Sequence, residues 1–87
     1  MATLYEPSGR DSECTPRNGR KFTLAELQAL VGGYIEMVRI PRDGGRRVFF
    51  VDEEGMPKKL RPNVRASQIA GQLLVGNAVL CSLKEVD

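Results

Sequence analysis

Residues 22–40 read FTLAELQALVGGYIEMVRI. This segment predicts a short helix, a glycine stop and a strand, and the rest of the fold is organised around these elements. Thr23 and Glu26 have the spacing of a capping box, in which each side chain hydrogen-bonds the backbone N–H of the other residue. Apolar residues then recur with helical period, which indicates a short amphipathic helix. Gly32 and Gly33 can adopt the left-handed conformation that ends a helix, and a β-rich run follows at once. The predicted apolar stripe of the helix comprises Leu24, Leu27, Gln28 and Val31, with Leu30 beside it.

A β-hairpin is predicted directly after this helix. Its first strand, Tyr34–Ile40, is followed by the turn-forming segment Pro41–Gly45 and then by a second strand, Arg46–Asp52. The second strand contains the unbroken apolar run Val48–Val51. Because successive side chains of a strand point to opposite faces, this run predicts a strand that is buried on both sides.

Two further elements are predicted after the hairpin. Asn63 follows a proline and precedes a short helical pattern, so we expect it to cap a second helix that ends at Gly71. A final strand is expected at Leu74–Leu83, with a bulge or turn at Gly76-Asn77.

The N-terminal residues Ala2–Glu6 are predicted to form an edge strand. The polar segment after it contains the turn pair Asn18-Gly19, which is compatible either with a hairpin or with a loose arm. A strand followed by a loop is the favoured interpretation.

These elements predict an α+β fold, with a mostly antiparallel sheet of about four strands, one capped helix and a short second helix. The expected domain organisation is a strand or arm at residues 1–21, a single core domain at residues 22–83 and a frayed tail at residues 84–87.

Composition limits the class of protein. The chain has 87 residues and a formal net charge of +2, which is too balanced to indicate nucleic-acid binding. Its small core makes a homo-oligomer a natural expectation. Cys14 and Cys81 are expected to be reduced thiols rather than a structural bridge. No apolar run has the length of a membrane span and no signal peptide is evident, so a cytoplasmic location with no membrane partner is expected.

Catalysis is not indicated by any group of residues. The chain has no histidine, which removes the commonest general base and the usual nitrogen ligand of zinc. The acidic run Asp52-Glu53-Glu54 is interpreted as a solvated turn rather than a cation site, since it lacks the spacing of a calcium loop. We therefore expect a protein that is not an enzyme and needs no metal and no cofactor.

The basic residues suggest an anion site instead. Guanidinium forks and helix N-termini are the groups that phosphates and carboxylates require. Tyr34 follows the glycine pair and is placed to stack on a planar ligand, although a tyrosine in such a position also commonly packs as a structural residue. Alternatively, the basic residues form a positively charged rim that keeps a small protein soluble and binds no ligand. The candidate ligand-binding residues are Tyr34, Arg46, Arg47, Arg61, Asn63 and Arg65.

Several of these segments together resemble a small uncharacterised family, domain of unknown function 3846, which is common in bacteriophages and in mobile elements of bacteria. The segments are FTLAELQ at 22–28, VGGYIE at 31–36, VDEEG at 51–55, Asn63 and VGN at 75–77. The sequence departs from the family at KKLRP, residues 58–62, where relatives are more often neutral or apolar. The resemblance implies a phage-type accessory protein in a bacterial cytoplasm, and it supplies no catalytic residues.

The leading functional hypothesis from the sequence is a non-enzymatic anti-defence protein that binds and sequesters a small anionic, nucleotide-like signal of the host. The alternative is a protein–protein inhibitor that covers a host enzyme or polymerase with its hairpin and basic edge. Nucleic-acid binding is the least favoured hypothesis, because acidic residues are interleaved with the basic ones and aromatic residues are few.

Overall fold

The computed structural model describes residues 2–86, which form one five-stranded antiparallel sheet with a helix on each face. The strands are β1 (Ala2–Tyr5), β2 (Asp11–Cys14), β3 (Ile35–Arg39), β4 (Arg47–Asp52) and β5 (Ala78–Ser82), in the spatial order β2-β1-β5-β4-β3. The helices are α1 (Leu24–Val31) and α2 (Val64–Ala70), and short 3₁₀ turns occupy Pro41–Asp43 and Leu83–Glu85. The predicted α+β class is confirmed, with five strands where about four were expected.

Helix α1 begins and ends as its sequence predicts. The Thr23 hydroxyl accepts a hydrogen bond from the Glu26 N–H at 3.2 Å, and the Glu26 carboxylate accepts one from the Thr23 N–H at 3.1 Å. Gly32 has a φ of 91° and donates its N–H to Gln28 O at 2.7 Å, which ends the helix. Leu27 and Val31 are buried against the sheet. Leu24, which the predicted stripe included, is instead 60% exposed because it lies at the first turn, beyond the packed surface.

Strand β4 lies inside the sheet and contributes to the apolar core on both faces. Val48 and Phe50 pack in the cluster beneath α1, whereas Phe49 and Val51 pack in the cluster beneath α2. The predicted two-sided burial of this strand is therefore confirmed. The hairpin of β3 and β4 is also confirmed, with Met37 paired to Phe50 at its centre.

Helix α2 packs through small side chains. Its buried residues are Ala66 and Ala70, which lie against the second core cluster. Asn63 caps it by accepting a hydrogen bond from the Ala66 N–H at 3.2 Å, and Gly71 ends it with a φ of 75°. The sequence correctly predicted both ends of this helix.

The N-terminal segment differs from the favoured prediction. Residues 11–14 form strand β2, which pairs with β1, so the segment is a hairpin rather than a strand followed by a loop. Strand β1 also pairs with β5 and therefore lies inside the sheet, not at its edge. Strand β2 was missed because its sequence, DSEC, has no apolar run and forms its ladder on the exposed rim of the sheet.

The C-terminal segment is more ordered than expected. Strand β5 begins only at Ala78, because Gly76 has a φ of 74° and interrupts the extended backbone before it. Ser82 and Glu85 form a capping box around the 3₁₀ turn, and Val86 forms a parallel bridge with Phe22. The expected frayed tail is thus held against the core through Val86, while Asp87 lies outside the described residues.

The two cysteines are free thiols. Strand β1 separates β2 from β5, so Cys14 and Cys81 lie two strand spacings apart, about 9–10 Å. A disulfide requires Cα atoms within about 7 Å, so these residues cannot form one in this fold. Among residues 2–86, no helix has the length and apolar character needed to cross a bilayer.

Candidate functional site

An ion pair between a buried carboxylate and an exposed lysine marks the end of β4 that lies beside the C-terminus of α1. Asp52 has only 2% of its side chain exposed, and its Oδ2 accepts a hydrogen bond from Lys58 Nζ at 2.7 Å. Its Oδ1 accepts a second one from the Glu54 N–H at 2.8 Å. The hydrogen bond from Lys58 lowers the pKa of Asp52, and the same bond raises the pKa of Lys58. Both groups therefore remain charged at neutral pH.

Gly33 provides the space that this ion pair occupies. A Cβ atom at Gly33 would lie 2.7 Å from Asp52 Oδ2 and 2.8 Å from Lys58 Nζ. The adjacent residues Gly32 and Gly33 therefore have different structural roles. Gly32 supplies the left-handed backbone that ends α1, and Gly33 lets the chain pass directly over the Asp52–Lys58 pair.

Lys58 lies between two neighbouring surface clefts, which we call together the Lys58 groove. The first cleft has a volume of about 350 Å³ and the second about 400 Å³. The first is lined by Pro7, Val31, Gly32, Asp52, Lys58, Leu60, Arg61, Gly76 and Asn77, and the second by Gln28, Ala29, Gly33, Tyr34, Glu54 and Lys58. The groove therefore follows the C-terminal end of α1 and the start of β3.

The walls of the groove are held by hydrogen bonds between distant segments. Asn77 Nδ2 donates to Leu30 O at 3.1 Å, which joins the segment before β5 to the last turn of α1. The Gly76 N–H donates to Arg61 O at 2.8 Å and fixes the backbone of Arg61 at the rim. These contacts make the groove a feature of the folded core rather than of a single loop.

Two of the predicted site residues line this groove, one in each of its clefts. Tyr34 lines the second cleft with 66% of its surface exposed, so its ring is open to solvent rather than packed. Arg61 lines the first cleft and is exposed, and it forms no ion pair with another of residues 2–86. Lys58, which belongs to both clefts, lies between them.

Two other predicted residues, Arg46 and Arg47, lie at the opposite end of β4. Residues 47 and 52 are separated by about 17 Å along an extended strand. Arg47 Nε pairs with Asp43 Oδ2 at 3.0 Å, and Arg46 lines a separate cleft of about 550 Å³ together with Lys84. We call this end the basic turn; its cationic residues are Arg39, Arg42, Arg46, Arg47 and Lys84. Within one chain, the predicted cations are thus divided between two surfaces.

Asn63, by contrast, faces the interior. It is 0% exposed, its Oδ1 caps α2, and its Nδ2 donates to Tyr5 O at 2.9 Å and to Gly76 O at 2.8 Å. These bonds use both amide hydrogens, so the side chain has no donor left for a ligand and its function in this fold is structural. Arg65 is exposed in the first turn of α2 and lines neither cleft of the Lys58 groove.

The sequence did not indicate the central pair of the groove. Asp52 was interpreted as part of a solvated acidic turn, but only Glu53 and Glu54 are exposed there. The available signal was that Asp52 directly continues a run of buried residues, so the strand carries it into the core. Within the described range 2–86, no group of three or more potential metal-ligating side chains is found.

A family comparison matches residues 4–87 to the domain of unknown function DUF3846. The match covers nearly the whole chain, so the protein belongs to this family, and the resemblance seen in the sequence is confirmed. Comparisons with curated proteins and with solved structures gave no match.

Proposed function

We propose that this member of the DUF3846 family is a non-enzymatic accessory protein of phage type that sequesters a small anionic, nucleotide-like signal of a bacterial host. The observation that supports the proposal is that Tyr34 and Arg61 line two clefts that share Lys58. An aromatic ring and two cations are the groups that a base and its phosphate require. Binding without chemistry lowers the free ligand concentration by mass action, in the cytoplasm where the signal is made.

The base and the phosphate of the ligand occupy different clefts of the groove. A planar base stacks on the exposed ring of Tyr34 in the second cleft. The phosphate lies against the guanidinium of Arg61 in the first cleft. The carboxylate of that cleft, Asp52, is paired with Lys58, whereas the exposed Glu54 in the second cleft repels an anion. Lys58 uses one ammonium hydrogen for Asp52, which leaves two donors for the ligand.

The titratable groups of the groove favour binding of an intact ligand over its chemical conversion. Asp52 is held as a carboxylate by Lys58, so it is a poor general acid at neutral pH. Lys58 is held as an ammonium ion by Asp52, so it is a poor general base. The chain also has no histidine, which is the commonest general base near neutral pH.

Ligand depletion tests the proposal. Purified protein is mixed with cyclic dinucleotides and ADP-ribose derivatives and removed by ultrafiltration, and the remaining free compound is quantified by mass spectrometry. We expect one compound to be depleted in proportion to protein and released intact on heating. Arg61→Ala should abolish depletion, whereas Arg20→Ala, which removes an exposed arginine outside the groove, should not.

Two outcomes contradict the proposal. Depletion of none of these compounds excludes the nucleotide ligand, and recovery of an altered compound after heating shows an enzyme. Capture of a host protein in equal amount, with no small molecule retained, would support the inhibitor hypothesis instead.

A further inference from the structure

The two open edges of the sheet differ in charge. Strand β2, at one edge, carries Asp11 and Glu13 on the same face and both are exposed. Two copies of this edge would place like charges opposite each other, which is a common protection against edge pairing. Strand β3, at the other edge, carries one acid, Glu36, and one base, Arg39, around the central Met37, which is 41% exposed. In the sheet formed by residues 2–86, the β3 edge is therefore the one left open to another strand.

The hydrogen-bond pattern of β3 shows which backbone groups face this edge. The Glu53 N–H donates to Tyr34 O at 2.9 Å, so residue 34 is a hydrogen-bonded partner of β4. Because the pattern alternates in an antiparallel ladder, residues 36 and 38 also bond to β4. The N–H and C=O groups of Ile35, Met37 and Arg39 therefore point outward. These three residues are symmetric about Met37, so the edge can pair with an antiparallel copy of itself.

The ends of β3 have opposite charge. Glu36, Glu53 and Glu54 are exposed at the end where the strand begins, and Lys58 at that end is paired with Asp52. Arg39, Arg42 and Arg46 are exposed at the end where the strand turns, and Asp43 at that end is paired with Arg47. Antiparallel pairing of two copies places each acidic end beside the basic end of the other copy. Parallel pairing would place like charges together. Charge complementarity therefore favours a second, antiparallel copy of this chain as the occupant.

We propose that two copies join β3 to β3 in antiparallel register about Met37, which makes one continuous ten-stranded sheet. Met37 then lies opposite the partner's Met37, and Ile35 lies opposite the partner's Arg39. The interface contains six backbone hydrogen bonds, two for each of the three outward pairs. It covers the β3 edge, whose unpaired backbone groups are a template for pairing with another chain.

The pairing also extends the proposed ligand site. Arg39 faces the same side of the sheet as Val48 and Phe50, and Asp52 is on that side too. The symmetry axis is perpendicular to the sheet, so the partner's Arg39 lies on the face that carries the Lys58 groove. The partner's basic turn is thereby brought beside Tyr34. Cations that lie at opposite ends of β4 in one chain meet across the two-fold axis. This consequence depends on the proposed function, whereas the dimer itself does not.

Mass measurement tests the dimer without any ligand. Light scattering of the wild-type protein should give twice the 9.6 kDa chain mass. Met37→Lys places two ammonium groups directly opposite each other and should weaken association by about tenfold or more. Met37→Pro removes an outward N–H without loss of a bond to β4, so it should give a monomer as well. Glu13→Gln, at the β2 edge, adds no charge that could pair with Asp11 of another copy, so this variant should remain dimeric.

Cross-linking tests the register. In a hydrogen-bonded pair the Cα atoms lie about 5.5 Å apart, within reach of a disulfide. Met37→Cys should therefore form an interchain disulfide on air oxidation, whereas Glu36→Cys and the wild-type protein should not. A monomeric wild-type protein at its highest soluble concentration overturns the proposal, as does a Met37→Lys protein that stays fully dimeric. A dimeric protein that depletes no nucleotide would refute the proposed function alone.

Discussion

Gly33 lies so close to Asp52 that a single added methyl group would approach the carboxylate oxygen to 2.7 Å. Asp52 cannot easily move away, because its other carboxylate oxygen accepts a hydrogen bond from the Glu54 N–H and its side chain is buried. We expect Gly33→Ala to lower the free energy of unfolding by about 1–3 kcal/mol, as overpacked core sites do. Urea denaturation measures this loss.

The neighbouring Gly32 is the matched control. Nothing lies within 4 Å of a Cβ there, and the cost of substitution comes only from its positive φ. Asparagine tolerates that conformation, so Gly32→Asn should cost less than Gly32→Ala, whereas Gly33→Asn should cost more than Gly33→Ala. The same ranking at both positions would contradict the steric explanation.

Asn63 should be among the most sensitive polar residues of the chain. Asn63→Ala removes the cap of α2 and leaves the carbonyls of Tyr5 and Gly76 without their donors in a buried site. We expect a loss of about 2–4 kcal/mol in thermal or urea unfolding. Thr23→Ala removes only a cap and should cost about 1 kcal/mol. Equal losses would show that the two internal hydrogen bonds contribute little.

The ion pair of Asp52 and Lys58 predicts a pH dependence. The pKa of Asp52 is lowered in the folded protein from its ordinary 3.8, so its carboxylate stabilises the fold above that pH. This contribution is lost as the pH falls below 3.8 and through the lower folded pKa. In Lys58→Met the buried carboxylate is unpaired at neutral pH. We expect that variant to be less stable than wild type at pH 7 and to approach wild type in acid. A constant difference between pH 3 and 7, measured by urea unfolding, would exclude this coupling.

The two thiols should differ in reactivity. Burial, with a smaller contribution from Glu85, raises the pKa of Cys81 to about 12, and Cys81 is almost completely covered. Burial also raises the pKa of Cys14, but this side chain is partly exposed at the edge strand. Ellman's reagent at pH 8 should therefore label only Cys14 in the native protein and both residues in urea. Native Cys14→Ser should not react, and rapid labelling of Cys81 would show local opening of the sheet.

Substitutions at Tyr34 distinguish the contribution of ring stacking from that of the hydroxyl group in the proposed site. Tyr34→Ala should weaken nucleotide binding by about tenfold or more, because base–aromatic stacking is worth roughly 1–3 kcal/mol. Tyr34→Phe keeps the ring and should bind nearly as tightly as wild type. Isothermal titration with the depleted compound measures both affinities. A larger loss with Phe than expected would assign the role to the hydroxyl instead.

The elements that the sequence predicted well are those set by neighbouring residues. The caps Thr23 and Asn63 act within one helical turn, and the apolar run at 48–51 decides the burial of its own strand. Strand β2 was missed because polar residues at an exposed edge carry no hydrophobic period. Of the predicted site residues, Tyr34 and Arg61 line the two clefts of the Lys58 groove, whereas Arg46 and Arg47 lie at the far end of β4.

By itself, the sequence determined the helix boundaries, the central hairpin and the α+β class, since these depend on caps, turns and side-chain period within short segments. Only the tertiary structure decided that Asp52 is buried beneath Gly33, that Asn63 joins Tyr5 to Gly76, and which cations share a surface. These relations connect residues that are distant along the chain or that lie on opposite sides of a turn. Their physical origin is the order in which the strands pair, and no local pattern of residues encodes that order.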